Sequence, residues 1–125
     1  MEIFRTEAFM QLANPTPGET YRLDLVTPEK GAKELGGFLV IIPPGGEMPY
    51  HYHEKRESLI FLIKGEATEI VEGEEYHVKA GEVLSIPANE KHKIINRSAE
   101  DLRYLEFFAP LDPDFVEVVD NGVSP

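Results

Sequence analysis

The sequence predicts an all-β fold with little helix: a small antiparallel β-barrel of the jelly-roll type. Ten glycines and ten prolines divide the 125-residue chain at short intervals from Pro15 onward. Between them lie short runs rich in β-branched and aromatic residues, at the spacing of roughly 8–12 residues that is typical of sandwiches and barrels. Helical periodicity is weak along the whole chain, and this length predicts a single domain over residues 1–125.

The predicted strands are the runs that turn-forming residues bound on both sides. In chain order they cover residues 21–27, 37–42, 59–64, 67–71, 75–79, 82–87, 92–96 and 102–109. The apolar residues within the first twelve positions are compatible with either a short helix or an edge strand. After Pro110 the proline spacing predicts a tail that packs outside the barrel, as we also expect of the N-terminal segment.

Two of these strands are apolar on both faces, at residues 38–42 and 59–63. Successive side chains of a strand point to opposite faces, so such strands must be covered on both sides. The barrel interior covers one side, and a second copy of this short chain is a natural cover for the other. We therefore expect a homodimer.

The composition excludes several classes of function. Twelve basic and 23 acidic residues give a net charge of −11, which disfavours binding to nucleic acids and to anionic membrane surfaces. There is no cysteine, so disulfides, thiolate catalysis and cysteine-ligated metals are absent. No apolar run approaches the ~20 residues of a membrane span, and we expect a cytoplasmic protein.

The histidines supply the first candidate site. His51 and His53 are separated by one residue, so both side chains project from the same face of an extended segment. Two imidazoles side by side can occupy adjacent coordination positions on a metal. The pair alone is weak evidence, because two exposed loop histidines would give the same pattern.

The surrounding residues resemble the two sequence motifs of the cupin superfamily. Gly45, His51, His53, Glu57 and Gly65 resemble the first motif, within residues 45–65. The second motif matches within residues 81–96, at Gly81, Pro87, Asn89, His92 and Asn96. Asn89 stands where the motif has glycine, a mild change because asparagine tolerates a positive φ.

The resemblance implies a site in which one divalent metal ion per chain, Mn, Fe, Ni, Zn or Cu, lies inside the barrel. Its ligands would be His51, His53, Glu57 and His92. The fourth ligand is in question, since seven residues separate Glu57 from Gly65 where the motif has six. A shift of one residue turns a strand side chain to the opposite face, and alignment on Gly65 would put Ser58 at the carboxylate position.

Two further features leave alternatives open. In the strand over 102–108, either Tyr104, Glu106 and Phe108 face inward, or Arg103, Leu105 and Phe107 do. An inward Glu106 would be a candidate general base or a support for a metal ligand, and an inward Arg103 would favour an anionic ligand. Near the motif histidines stand four cations that could attract an anionic substrate, Lys55, Arg56, Lys91 and Lys93.

The function predicted from this resemblance is a metal-dependent enzyme on a small organic molecule, either anionic or sugar-like. A dioxygenase and an isomerase or lyase are both compatible with it, and no catalytic residue is assigned. The alternative is a non-catalytic cupin that binds a small ligand or a metal. A third possibility, a structural dimer with a relic site, fits less well with three intact histidine positions.

Overall fold

A computed structural model describes residues 1–119 and confirms the all-β prediction. The described residues hold ten strands, one α-helix and a single 3-10 turn. The helix α1 spans Thr6–Gln11, which decides between the two alternatives for the N-terminal segment, and the 3-10 turn spans Pro28–Lys30. The strands are β1 Tyr21–Val26, β2 Gly36–Ile42, β3 His51–Tyr52, β4 Glu57–Lys64, β5 Glu66–Val71, β6 Glu74–Lys79, β7 Val83–Ile86, β8 His92–Ile95, β9 Leu102–Ala109 and β10 Val116–Glu117.

The strands form two five-stranded antiparallel sheets. One sheet has the order β1-β2-β9-β4-β7 and the other β10-β3-β8-β5-β6. The arrangement is jelly-roll-like, with two sheets packed face to face instead of one continuously closed barrel. In such a double-sheet fold the inner faces form a shared core, and the edge strands stay short.

The core between the sheets is an apolar cluster to which both sheets contribute. Phe38 of β2, Ile60 and Leu62 of β4 and Ile94 of β8 are all buried in one apolar cluster. Tyr104 and Phe108 of β9 belong to the same cluster. Side chains alternate along a strand, so Glu106 shares this inner face and Arg103 points to the opposite one.

The outer face of the first sheet is covered in part by the chain's own N-terminal segment. Phe9 of α1 packs with Leu39, Ile41 and Leu105 in a second apolar cluster. The buried Arg103 guanidinium holds this helix, since its Nη1 donates to the Phe9 carbonyl at 2.8 Å and also to the Leu12 carbonyl. These contacts explain why Arg103 faces away from the interior.

Candidate metal centre

Three histidines converge between the two sheets. The antiparallel pairing of β3 with β8 sets His51 directly opposite His92, and His53 follows two residues after His51 on the same face. One ring nitrogen from each lies within 4.8 Å of the others. The three residues are only 7%, 6% and 4% exposed in the order His51, His53 and His92. The structure therefore brings together the three histidines that the two sequence motifs select.

Each imidazole is oriented by a hydrogen bond at its Nδ1. His51 Nδ1 lies 2.6 Å from the Pro49 carbonyl, and His53 Nδ1 bonds to the Asp114 carbonyl. A carbonyl can only accept, so both Nδ1 atoms carry the proton and both Nε2 atoms keep a free lone pair. His92 Nδ1 lies 3.1 Å from Oε1 of Glu69. The Nε2 of each ring is therefore the nitrogen left available to a metal.

One further observation indicates that the three histidine nitrogens are suited to a metal ion. His92 Nε2 is buried and has no hydrogen-bond partner among the described residues. An unsatisfied buried polar atom costs roughly 1–3 kcal/mol, a cost that coordination to a metal would remove. Neutral imidazole nitrogens are the usual ligands of Zn, Cu, Fe and Ni.

Burial keeps the histidines in the neutral form that binds metals. Desolvation lowers the pKa of His51 to about 4, against a smaller opposite effect of its bond to Pro49. Desolvation also lowers the pKa of His92 to about 4, and that of His53 in the same direction. All three rings are thus neutral at pH 7, so metal binding does not require a proton to leave an imidazolium.

Glu69 is a site residue that the sequence analysis missed. It lies on β5, is 2% exposed, and contacts His92 from 23 residues away along the chain. Burial raises its pKa to about 8, and the nearby Glu90 acts in the same direction. The available signal was strand alternation, because Glu69 lies two residues after the inward Ala67 and so shares its face of β5.

Glu57 is not part of the cluster. Its side chain is exposed at the start of β4, where it pairs with Ala109, while the adjacent Ser58 is 4% exposed. The inner face of β4 therefore carries Ser58 at the position where the family motif has its carboxylate. The cause is the extra residue before Gly65, which shifts the alternation by one and turns Glu57 outward.

A loop of the second motif supports His53 from the other side. Asn89 has φ 68°, in the left-handed region that asparagine adopts more readily than other non-glycine residues. In that conformation its backbone N–H donates to the His53 carbonyl at 2.6 Å. The replacement of the motif glycine by asparagine therefore keeps the loop geometry.

The segment after β9 crosses the opening of the site. The Asp114 carboxylate accepts the backbone N–H groups of Glu54, Lys55 and Arg56 at 2.6–2.9 Å. These bonds lower the pKa of Asp114 to about 2. The next residue, Phe115, stacks on the His51 ring with centroids 4.4 Å apart. This segment thus fixes the loop between β3 and β4 and covers one histidine.

The histidines open into a small cavity of about 100 Å³ between the sheets. Glu106 and Tyr104 of β9 line it, together with Glu69, Arg22 and Arg56. Burial raises the pKa of Glu106 to about 7. Of the four cations expected near the site only Arg56 lines this cavity.

Several known proteins are similar to this chain in sequence. The family model described as "Cupin domain" matches residues 38–108, more than half of the chain. The tetracenomycin polyketide synthase protein TcmJ of Streptomyces glaucescens is 33% identical over 92 residues, which cover 71% of this chain and 60% of that protein. The oxalate-binding protein of Thermotoga maritima is 31% identical over 64 residues, 51% of this chain and 53% of that protein.

A solved structure shows the same fold over nearly the whole chain. The uncharacterized conserved protein with a double-stranded β-helix domain from Klebsiella pneumoniae superposes with a TM-score of 0.79 at 21% identity. The alignment covers 96% of this chain and 99% of that one. This chain spans about half to three-fifths of the length of the curated relatives it matches. Among residues 1–119, no helix is long and apolar enough to cross a membrane.

Proposed function

The chain belongs to the cupin domain family, and on that premise we propose that it is a metal-dependent enzyme on a small organic molecule. The metal, one divalent ion per chain, would be held by His51, His53 and His92. The observation that carries the proposal is the set of three buried rings whose Nδ1 atoms are engaged and whose Nε2 atoms are free. The proposal leaves out Glu57 because its side chain is exposed.

A bound divalent metal would supply Lewis acidity toward a carbonyl or carboxylate oxygen of the substrate. The protein contributes a small cavity between the sheets and a carboxyl group of suitable acidity. Glu106 lines the same cavity as the three histidines, and a pKa near 7 suits a group that takes and returns a proton at neutral pH. This favours chemistry that begins with proton transfer next to a carbonyl, as in an isomerase or a lyase.

The metal site is tested by elemental analysis of untagged protein purified without nickel resin or chelator. We expect about one equivalent of metal per chain, lost in His51→Ala and in His92→Ala. His77→Ala is the matched control, because His77 is an exposed histidine of β6 that pairs only with Glu66. Unchanged metal content in both site variants would refute the ligand assignment.

The proton-transfer role is tested with a panel of small hydroxy and keto compounds. Deuterium exchange at the carbon next to the carbonyl can be followed by NMR in each of them. We expect metal-loaded protein to catalyse exchange in at least one compound, and Glu106→Gln to slow it by roughly 10²–10⁴-fold. Exchange at equal rates in Glu106→Gln would remove this residue from the mechanism.

A second candidate is a non-catalytic binding protein. It is favoured by one observation, the relative from Thermotoga maritima whose name states that it binds oxalate. A binding protein would be stabilised against heat by its ligand and would show no turnover or exchange. The exchange measurement therefore separates the two candidates.

We also propose that the protein forms a homodimer in the cytoplasm. Outside the area that α1 covers, the first sheet keeps an apolar outer surface, with Leu59 43% and Val83 51% exposed. An apolar hollow beside them is lined by Phe61, Ile63 and Phe107. A second copy is the expected cover for such a surface. The absence of cysteine is consistent with a reducing compartment.

Sedimentation equilibrium tests the dimer. We expect a species of twice the 14.1 kDa chain mass at micromolar concentration. Val83→Lys should shift it to the monomer, whereas Tyr76→Lys, at a 50% exposed position on the other sheet, should not. A purely monomeric wild-type protein would refute the proposal.

A further inference from the structure

Two arginines lie over two touching phenylalanine rings beside the metal centre. Phe38 of β2 and Phe108 of β9 pack with ring centroids 5.6 Å apart. The guanidinium carbon of Arg22 lies 4.0 Å from the Phe38 centroid, and that of Arg56 lies 3.9 Å from the Phe108 centroid. Each guanidinium thus lies on one of two neighbouring rings; Arg22 comes from β1 and Arg56 from the loop before β4.

Both arginines face the same opening. They line the small cavity that holds the three histidines and also a wider groove of about 690 Å³ outside it. Phe115 lines both spaces as well, so the groove leads to the metal centre. In a chain with a net charge of −11, this opening brings two cations together, although Asp24, Glu29 and Asp114 also line the groove.

The acidic residues near Arg22 and Arg56 leave both arginines able to bind a ligand. Asp24 accepts a hydrogen bond from Arg22 Nε at 3.0 Å, but both side chains are 58% exposed, and such surface pairs are worth about 0–1 kcal/mol. The Asp114 carboxylate already accepts three backbone N–H groups. Glu29 lines only the outer groove, and Glu106 only the inner cavity.

Part of the Arg56 guanidinium is already used in hydrogen bonds to backbone carbonyls. Its Nη2 donates to the carbonyls of Leu111 and Asp112 at 3.3 and 3.0 Å, whereas its Nε is buried without a partner among the described residues. A guanidinium stacked on an aromatic face directs its N–H groups outward in the plane of the fork. Nη1 of Arg56, and Nη1 and Nη2 of Arg22, form no hydrogen bond within residues 1–119, so these groups remain able to donate to the oxygens of a carboxylate.

We propose that Arg22 and Arg56 form a recognition pair for the carboxylate of a small organic acid, which rests on the proposed function of the adjacent metal centre. The size of the cavity, about 100 Å³, favours a small acid, since sites for drug-sized ligands usually enclose roughly 300–1,000 Å³. A negatively charged substrate group on the arginines would leave the rest of the molecule directed at the three histidines.

The test is isothermal titration of protein of known metal content with acetate, oxalate, malonate and succinate. Malonamide serves as the neutral analogue of malonate, and inorganic phosphate as the competing anion. We expect at least one of the acids to bind, malonamide to bind at least tenfold more weakly than malonate, and Arg22→Gln to weaken acid binding about tenfold. Arg97→Gln is the matched control, because Arg97 is exposed and pairs with Glu75 away from the site.

Arg56→Gln should weaken binding by a similar factor, but it also removes the bonds to Leu111 and Asp112, so its melting temperature is measured alongside. Arg22 is largely exposed, and its replacement therefore tests the proposal without risk to the fold. Failure of all four acids to bind, or equal binding by wild type and Arg22→Gln, would overturn the arginine pair. Tighter binding of phosphate than of any acid would overturn the carboxylate assignment.

The two proposals fail in distinguishable ways. Metal content is measured in every sample, and we expect Arg22→Gln to retain it. Normal metal content with acid binding that ignores Arg22 would overturn the arginine pair alone. Acid binding that depends on Arg22 in a protein that never holds metal would overturn the metal centre alone.

Discussion

Nδ1 of His92 lies 3.1 Å from Oε1 of Glu69, with both side chains almost wholly enclosed between the sheets. The contact joins β8 to β5, which are neighbours in the second sheet. It sets the orientation of the His92 ring and leaves Nε2 directed away from the carboxyl group. A hydrogen-bond partner of this kind orients a metal-binding histidine.

Glu69 is therefore a positioning residue for the metal. We expect Glu69→Ala to weaken metal affinity roughly 10–100-fold, the usual effect of removing such a partner, and Glu69→Gln to weaken it less because its amide oxygen still accepts a bond. Affinity is measured by competition with a chelator. The matched control is Glu66→Ala, an exposed glutamate on the same strand. Equal loss in the alanine and glutamine variants would argue against the hydrogen bond.

The stability of the metal-free protein should depend on pH through Glu69. Its pKa is about 8 in the folded state against an ordinary 4.5, so the folded state binds more protons than the unfolded state between these values. The contribution of Glu69 to the free energy of unfolding therefore falls as pH rises from about 4.5 to 8, by up to about 1.4 kcal/mol per pH unit.

Glu69→Gln removes this dependence. Relative to wild type, the variant should gain stability steadily between about pH 5 and pH 8, as measured by urea unfolding in the presence of chelator. Glu66→Gln, at an exposed position, should show no such trend. A difference between Glu69→Gln and wild type that stays constant with pH would show that Glu69 ionises normally in the fold.

The exposed position of Glu57 leads to a prediction about the ligand set. Glu57→Gln should leave the metal content unchanged, because the inner face of β4 carries Ser58 at this point. His53→Gln, on the preceding loop, should lower it strongly. Metal loss in Glu57→Gln comparable to that in His53→Gln would mean that the loop over residues 54–56 moves to bring in a fourth ligand.

Asp114 ties the segment after β9 to the loop between the motif histidines and β4. Asp114→Ala removes the acceptor of three backbone N–H bonds and should lower both the melting temperature and the metal affinity. Asp112→Ala is the control, since only its backbone carbonyl is used, by Arg56. A metal affinity equal to wild type in Asp114→Ala would show that His53 is positioned without this segment.

Gly65, at the end of the first motif, and Gly73 have similar backbone conformations but differ in the space available to a side chain. Its φ is +87°, and a Cβ there would lie 2.6 Å from the Asp101 backbone oxygen. Gly73 has a similar φ of +83° with nothing within 4 Å. We expect Gly73→Ala to cost about 1 kcal/mol from backbone strain alone, and Gly65→Ala several times more because backbone must move. Equal costs in urea unfolding would contradict this.

Local signals along the chain were sufficient to predict eight of the ten described strands, but not the two-residue strands β3 and β10. Alternation and turn residues place strands such as 59–64 and 92–96 within a residue or a few of their observed bounds. The resemblance of the two motifs to those of the cupin superfamily then selects His51, His53 and His92. The buried positions of Phe38 and Ile60 follow from the same signals.

Which other groups meet these histidines became evident only in the folded chain. Glu69, Arg22 and Asp114 reach the site from strands or loops that no local pattern connects to it; the bond between His53 and Asp114 spans 61 residues. The inward direction of Glu106 depended on the helix that holds Arg103 on the opposite face. Periodicity tells which residues share a face, but which face becomes the interior is set by the burial and hydrogen bonding of the whole chain.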